Sequence, residues 1–344
     1  MVTGNLAAMS TLSPTLSGLV GERTVPQLWH ENYWFRRHEI AYLSLAPLVA
    51  SLVNGDSPVD DGTRTDDGTR TDDGTRGDDG TRGDANPGVV VEAGSGEGYG
   101  VRLLRRAGAE RVVALDYDAT SLRHARTTYP TDVAGRAVRT NLAALPLATG
   151  SASAIVCLQV IEHLWTPGQF LAECARALRP GGLLVVSTPN RLTFSPGLGR
   201  GQKPPNPFHH REFDAAELAD LIAEHIPVTE LLAVRHGPRL RAWAAEHGTD
   251  PIAGQLASSP DRWPAAVSAL VRSVTASDFV LGSLVHERSS QDWGSSGPWS
   301  GSDLPQRPSD ESRHDETRDA IRDAVPKNQT DDVLDLVVVA RAAS

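Results

Sequence analysis

The sequence predicts an α/β fold, a mostly parallel sheet with helices packed on both faces. Three observations carry that expectation. Short apolar runs of strand type alternate with stretches of helical spacing from Val89 to Asn190. Glycine-rich turns and stops punctuate the changes. Polar residues follow successive strands directly, which gathers them on one edge of the sheet. Strands alternating with helices at this spacing imply parallel neighbours whose two faces are both covered.

The elements follow in order. "VVVEAGSGEGYG" (Val89 to Gly100) is a first strand ending in a glycine-rich turn, and "VRLLRRAG" continues with helical spacing. "RVVALDYD" is a second strand ending at Asp116, "ATSLRHARTTY" a helix, and "AVRTNLAALPLA" a short third strand with its loop. "SASAIVCLQVIEHL" gives a fourth strand, "TPGQFLAECARALRPGG" a helix with glycine stops, "LLVVSTPN" a fifth strand and "PVTELLAVRHG" a sixth. Residues 1–54 form an N-terminal segment in which "ENYWFRRHEIAYLSLAPLVA" reads as a helix able to cap a ligand pocket. Residues 235–288 read as a helical insertion of "RLRAWAAEHG", "WPAAVSALVRSV" and "SDFVLGSLVHE".

Two stretches stand outside this alternation. "DDGTRTDDGTRTDDGTRGDDGTR" (Asp60 to Arg82) repeats a five-residue phrase with a period of six and contains no aliphatic or aromatic residue. A calcium-binding solenoid needs an apolar residue in each turn to build a shared core, so residues 55–87 are expected to be a hydrated spacer. Loop closure costs only about 0.6 kcal/mol per doubling of length, so such an expansion is tolerable. From Ser289 to residue 330 a segment rich in Ser, Gly, Pro and Asp reads as loop or disorder.

Composition narrows the function. With 344 residues, 40% of them hydrophobic, the chain can bury a sizeable core. The net charge of −10 disfavours a broad footprint on nucleic acid, which is not expected as a partner. The two cysteines, Cys157 and Cys174, sit in apolar settings and suggest neither a disulfide framework nor a cysteine metal site. No apolar run reaches the roughly 18–20 residues of a membrane span, and no basic-then-apolar leader is visible. A cytoplasmic location is expected.

The chemistry begins at Glu92-Ala93-Gly94-Ser95-Gly96-Glu97-Gly98. Glycines let the backbone approach a ligand closely, and the following helix offers free N–H groups. A dinucleotide fingerprint would be G-x-G-x-x-G, but its third glycine position is Tyr99, and an acid stands two places before the first glycine. That favours S-adenosyl-L-methionine over a nicotinamide cofactor, with Glu92 taking up the cationic amino end and Asp116 the ribose hydroxyls. Tyr117, Asn141, Leu142 and Gln159, at the ends of the second, third and fourth strands, complete the expected pocket with Gly94, Ser95, Gly96 and Gly98.

Those five motifs, "VVVEAGSGEGYG", "VVALDYD", "NLAALPL", "VCLQVIEHL" and "LRPGGLLVVSTPN", resemble the successive motifs of class I S-adenosylmethionine-dependent methyltransferases over Val89 to Asn190. Outside them, "GERTVP", "ENYWFRRHE", "NPFHHREF" and "HGPRLR" are similar to a group of actinobacterial methyltransferases linked to modification of glucose-containing polysaccharides and oligosaccharides. The resemblance implies a Rossmann-like sheet of seven strands, with a core at 88–234 and 331–344 and "VLDLVVVARA" as its antiparallel closing strand. It also implies O-methylation of a glycan or small hydroxylated acceptor. The long spacers depart from the group.

A sugar hydroxyl is a very weak acid, so its methylation calls for a base or a metal. Glu162 and His163 follow the fourth strand, and His209 follows the fifth after a Pro/Gly-rich loop, with His210 beside it. His163 or His209 can act as general base. Alternatively, Glu162, His163 and His209 can hold a divalent cation, Mg2+ or Mn2+, that lowers the acceptor pKa. A related Glu-x-x-Glu-His arrangement with a distant His occurs in methyltransferases of the terminal ribose of small RNAs; its first position here is Gln159. The structural alternative is that Glu162-His163 caps a helix and His209 orders a loop.

Other residues have simpler readings beside functional ones. Arg36 or Arg37 is placed to meet a carboxylate, and Tyr33, Trp34 and Phe35 either pack or cover the cofactor pocket. Tyr99 stacks near the methionine end or packs on its helix. Cys157, inside a buried strand, reads as inert. Trp243, Trp263 and Phe279 suit a sugar face, a lipid chain or a homodimer interface. The expected function is O-methyl transfer to a glucose-containing oligosaccharide or polysaccharide precursor. The alternatives are a terminal RNA ribose, a quinone or polyketide, or a non-catalytic cofactor-binding module.

Overall fold

The structure is a computed structural model that describes residues 24–26, 28–54, 88–133, 135–284 and 332–343. The DDGTR array and the segment after Ser289 lie outside the described residues. In chain order the helices are α1 (Asn32–Asn54), α2 (Tyr99–Arg106), α3 (Ala119–Thr128), α4 (Pro130–Val133), α5 (Pro167–Ala177), α6 (Arg191–Phe194), α7 (Ala215–Ala223), α8 (Pro238–His247), α9 (Pro251–Leu256) and α10 (Ala265–Ser273). The strands are β1 (Val89–Ala93), β2 (Arg111–Asp116), β3 (Ala137–Arg139), β4 (Ala152–Leu158), β5 (Leu178–Pro189), β6 (Val228–His236), β7 (Phe279–Ser283) and β8 (Val333–Arg341).

One sheet holds them all, in the order β3-β2-β1-β4-β5-β8-β6-β7. The pairings among β3, β2, β1, β4 and β5 are parallel, whereas β8 runs antiparallel to both β5 and β6. The fold is therefore the expected Rossmann-like one, with an eighth strand where the sequence predicts seven. That strand, β7, pairs antiparallel to β6 and lies at Phe279–Ser283, within the stretch "SDFVLGSLVHE" expected to be helical. Five residues cannot express a helical period against a strand period, and main-chain pairing to β6 decides between them.

Apolar residues at alternate strand positions build two cores. Val91, Ile155, Leu184 and Val338 meet Phe170 and Leu171 of α5 and Leu218 and Ile222 of α7. On the opposite face Val90, Val156, Val185, Val234 and Val337 lie under α1, joined by Leu240, Ile252, Val267 and Leu270 of the inserted helices. Strand β4 is buried at every position, as befits a strand covered on both sides.

The face of α1 that enters this core is not wholly apolar. The Tyr33 hydroxyl lies 2.5 Å from His236 Nε2, Arg37 Nε lies 3.2 Å from Asp335 Oδ2, and Tyr42 donates to Glu92 Oε1 at 2.7 Å. These partners stand on β6, β8 and β1. At its start α1 also caps α10, with Asn32 Nδ2 donating to the carbonyls of Val271 and Val274. Trp263 packs edge-on against Trp29, Trp243 stacks on His247, and Phe279 is buried against Tyr33. The three inserted aromatics thus face three different neighbours. No helix among the described residues is long and apolar enough to cross a membrane.

Tyr33→Phe removes one buried hydrogen bond and leaves His236 without that partner. Urea unfolding should show a loss of about 1–3 kcal/mol with an unchanged denaturant slope. An unaltered midpoint would show that the Tyr33 hydroxyl does not hold α1 to β6.

Candidate functional site

The turn after β1 is held open by its own backbone. Gly94 N and Ser95 N donate to Leu115 O at 2.8 and 2.9 Å, which ties the turn to β2. Gly96 adopts φ +48°, and a Cβ there would meet nothing within 4 Å, so the turn presents bare backbone to open space. Gly98, at φ +81°, leads into α2. Ser95 Oγ and Glu92 Oε2, both buried beside this turn, have no hydrogen-bond partner.

Glu92 carries the strongest electrostatic signal of the turn. Burial pushes its carboxyl up to about 8; the Tyr42 hydrogen bond and the Val101 amide oppose the rise, and nearby Asp116 adds to it. Gly100 makes the pairing sterically feasible, because a Cβ there would lie 1.9 Å from Glu92 Oε1 and 2.4 Å from Tyr42 Oη. A half-satisfied buried carboxylate is unfavourable on its own and suits a cationic ligand group. The donor set fits S-adenosylmethionine.

The other expected cofactor residues divide. Asp116 Oδ2 accepts from Gly96 N at 2.7 Å and Oδ1 from Asp118 N at 2.8 Å, which fixes the carboxylate at the end of β2 beside the glycine turn. Tyr117 is 69% exposed, with the Arg139 guanidinium over its ring. Asn141 Oδ1 accepts from Ala143 N and shapes the loop after β3, while Leu142 turns into the core. Gln159 is the one non-glycine residue with positive φ among the described residues, at +57°. Its side chain donates to Ser187 Oγ at 3.0 Å and hydrogen-bonds Asp335. Such backbone strain gathers at functional sites.

Glu162, His163 and His209 do come together, with one ligand-type atom from each lying within 4.8 Å of the others. Glu162 is 1% exposed and accepts from Thr188 Oγ1 at 3.0 Å. His163 Nδ1 lies 3.0 Å from Phe208 O, and His209 Nδ1 lies 2.8 Å from Glu212 Oε1. The loop is drawn in by its backbone, His210 N donating to Glu162 O at 2.8 Å. At the rim, Trp165 is 83% exposed and its ring lies 3.7 Å from that of His210. Arg36 pairs with Glu39 and Arg37 with Asp335, so both arginines meet a carboxylate. Tyr99 packs against Phe35 and Tyr42, and Cys157 is buried with its thiol pushed well up by burial.

Sequence reasoning missed Asp335. Its carboxyl is pushed up to about 6, by burial first, with Arg37 opposing, Glu162 adding and Gln159 opposing. The available signal was a lone acid inside the apolar run "VLDLVVVA". Tyr42, Gly100, Thr188 and Glu212 were also missed, because each acts through a partner distant in sequence or through a rigid local turn.

Residues 91–186 match the family model described as a methyltransferase domain. The chain is 41% identical over 294 residues to a probable S-adenosylmethionine-dependent methyltransferase of Mycobacterium tuberculosis, covering 84% of this chain and 90% of that one. A protein of the same description from Mycolicibacterium smegmatis is 41% identical over 272 residues, covering 78% and 89%. A ubiquinone biosynthesis O-methyltransferase of Caulobacter vibrioides is 30% identical over 110 residues, 29% of this chain and 44% of that one.

Without ligand, native Glu92 keeps its proton up to about pH 8, whereas its ordinary value is 4.5. Between those values the native state binds a proton that the unfolded state has lost, so stability falls as pH rises through that window. Glu92→Gln cannot ionise and should melt a few degrees higher than the wild type at about pH 9, with the advantage shrinking towards pH 5. Thermal melts of both proteins without cofactor check this; an offset independent of pH would sink it.

Proposed function

Because this chain belongs to the S-adenosylmethionine-dependent methyltransferases, we propose that it transfers a methyl group to a hydroxyl of a glucose-containing oligosaccharide or polysaccharide precursor. The observation that carries the reading is the convergence of Glu162, His163 and His209 at the carboxyl edge, after the strand next to β1. A weakly acidic acceptor requires such a cluster, and a strongly acidic one does not. The exposed Trp165 ring beside it offers the flat apolar surface that a sugar face packs against. The likeness of the flanking motifs to glycan methyltransferases supports the same acceptor.

When bound, S-adenosylmethionine supplies an electrophilic methyl group on a sulfonium sulfur. The free oxygen of Glu92 would receive its ammonium, Asp116 its ribose hydroxyls, and Gly94 to Gly98 its close approach. Helix α1 excludes water from Glu92 by laying Tyr42 across it. The Glu162–His163–His209 cluster orients the acceptor hydroxyl and eases the loss of its proton. A second reading, a small hydroxylated acceptor such as a quinone precursor, is favoured by the 110-residue likeness to the ubiquinone biosynthesis enzyme. The net charge of −10 weighs against an RNA acceptor.

Transfer of labelled methyl groups to a panel of glucosides, oligosaccharides, quinone precursors and short RNAs tests the reading. Label is expected on a glucoside or oligosaccharide. His163→Ala should lower that rate by about 100-fold or more while the cofactor still binds with its original affinity. Label confined to RNA or to a quinone would replace the acceptor assignment.

A further inference from the structure

We propose that Glu162, His163 and His209 form a divalent-cation site whose two imidazoles select a first-row transition ion over magnesium. This deepens, and rests on, the reading of the cluster as the place where the acceptor hydroxyl is activated.

The argument comes from where the protons of the two histidines must be. The partner of His163 Nδ1 is a backbone carbonyl, that of Phe208, which can only accept. Nδ1 therefore carries the ring proton and Nε2 the free lone pair. For His209 the partner of Nδ1 is the buried carboxylate of Glu212, again an acceptor, while the amide nitrogen of Asn206 lies 3.1 Å from Nε2 and donates to it. Both rings are thus held in the same tautomer, with Nε2 as a lone-pair donor. Orientation of a ligating histidine by a carbonyl or carboxylate on its other nitrogen is the usual support of a metal-bound imidazole.

The third ligand is fixed as well. Glu162 is buried, and the Thr188 hydroxyl holds its Oε2. The three ligand atoms lie within 4.8 Å of one another, a span that one ion with bonds of about 2.1 Å closes by small side-chain shifts. Each histidine brings one ring nitrogen to the cluster, and at His209 an ion on Nε2 would take the place of the Asn206 hydrogen bond.

The donor set also speaks to the identity of the ion. Magnesium prefers oxygen ligands and near-ideal octahedral geometry, whereas imidazole nitrogen suits first-row transition ions. One carboxylate and two imidazoles leave coordination positions open for an acceptor. A hydroxyl bound there would have its pKa lowered and would lose its proton to water, which removes the need for a separate protein base.

The test uses the full chain, stripped with EDTA and titrated with MnCl2 while free Mn2+ is followed by electron paramagnetic resonance. One equivalent should be taken up, displaced by ZnCl2 and resistant to excess MgCl2. His163→Ala and His209→Ala should abolish uptake. Glu212→Gln, which touches only the supporting bond of His209, should weaken it by about 10–100-fold. His210→Ala should leave it intact. Failure of the wild type to take up Mn2+, equal uptake by His163→Ala, or displacement by magnesium would each overturn the proposal. The binding is read without acceptor, so uptake with no label on any glycan would overturn the acceptor assignment alone. Glycan methylation that survives complete chelation would overturn the ion.

Discussion

The site depends on one constraint, the docking of α1 over the carboxyl edge of the sheet through buried polar side chains. A polar group taken from water must find a partner or it costs several kcal/mol. Tyr33, Arg37 and Tyr42 each find one on a different strand, at His236, Asp335 and Glu92. An all-apolar helix face would permit sliding along the sheet, whereas these pairings restrict α1 to one register. The middle pairing is the least comfortable. Arg37 and Asp335 are close at 3.2 Å but misaligned for a hydrogen bond, and Arg37 Nη1 has no partner. The rings of Trp34 and Phe194, each under 5 Å from the guanidinium, offset part of the desolvation.

Three buried acids stand on that edge. Glu92, Glu162 and Asp335 come from β1, from the turn after β4 and from β8. Burial raises Glu92 to about 8 and Asp335 to about 6, and the Glu162 charge adds to the rise at Asp335. Such a row is unfavourable when empty and becomes favourable when cations arrive. A sulfonium cofactor would bring positive charge to Glu92, and an ion at Glu162 would bring it close to Asp335.

How much of this was legible follows from the range of each interaction. The strand-helix alternation, the turn at Gly94–Gly98 and the acid at Asp116 are local, and they could be read directly. So could Glu162 with His163, because the residues follow a strand end. The convergence of His209 on them was expected from loop position, and the loop's hydrogen bond from His210 N to Glu162 O is what realises it. Asp335 was illegible because its meaning depends on Arg37, nearly the whole chain away. Gly100 was equally silent: its lack of a side chain matters only where Glu92 and Tyr42 meet. Strand β7 was misread as helix because five residues carry too little periodic information. Leu142 sits in a motif of the expected pocket, and its side chain enters the core.

The loop carrying His209 is better described as a fixed wall than as a closing lid. Its entry and exit are joined by Arg191, which is buried, donates to the Leu198 carbonyl and reaches Asp214 at 2.5 Å and Glu217 at 3.0 Å. Asp214 and Glu217 in turn close a reciprocal capping box at the start of α7. A bridge between Asn190 and Phe213 ties the same two ends to the sheet. Inside the loop, Asn206 and Glu212 hold the two nitrogens of His209. Glu212, the support of Nδ1, stands two residues before the Asp214 cap of α7. The consequence is a ligand geometry set before any acceptor arrives, which is how a small cluster gains catalytic leverage over a reluctant hydroxyl. Selectivity for the acceptor then falls to the rim, where Trp165 stands exposed, and the wall behind it need not move.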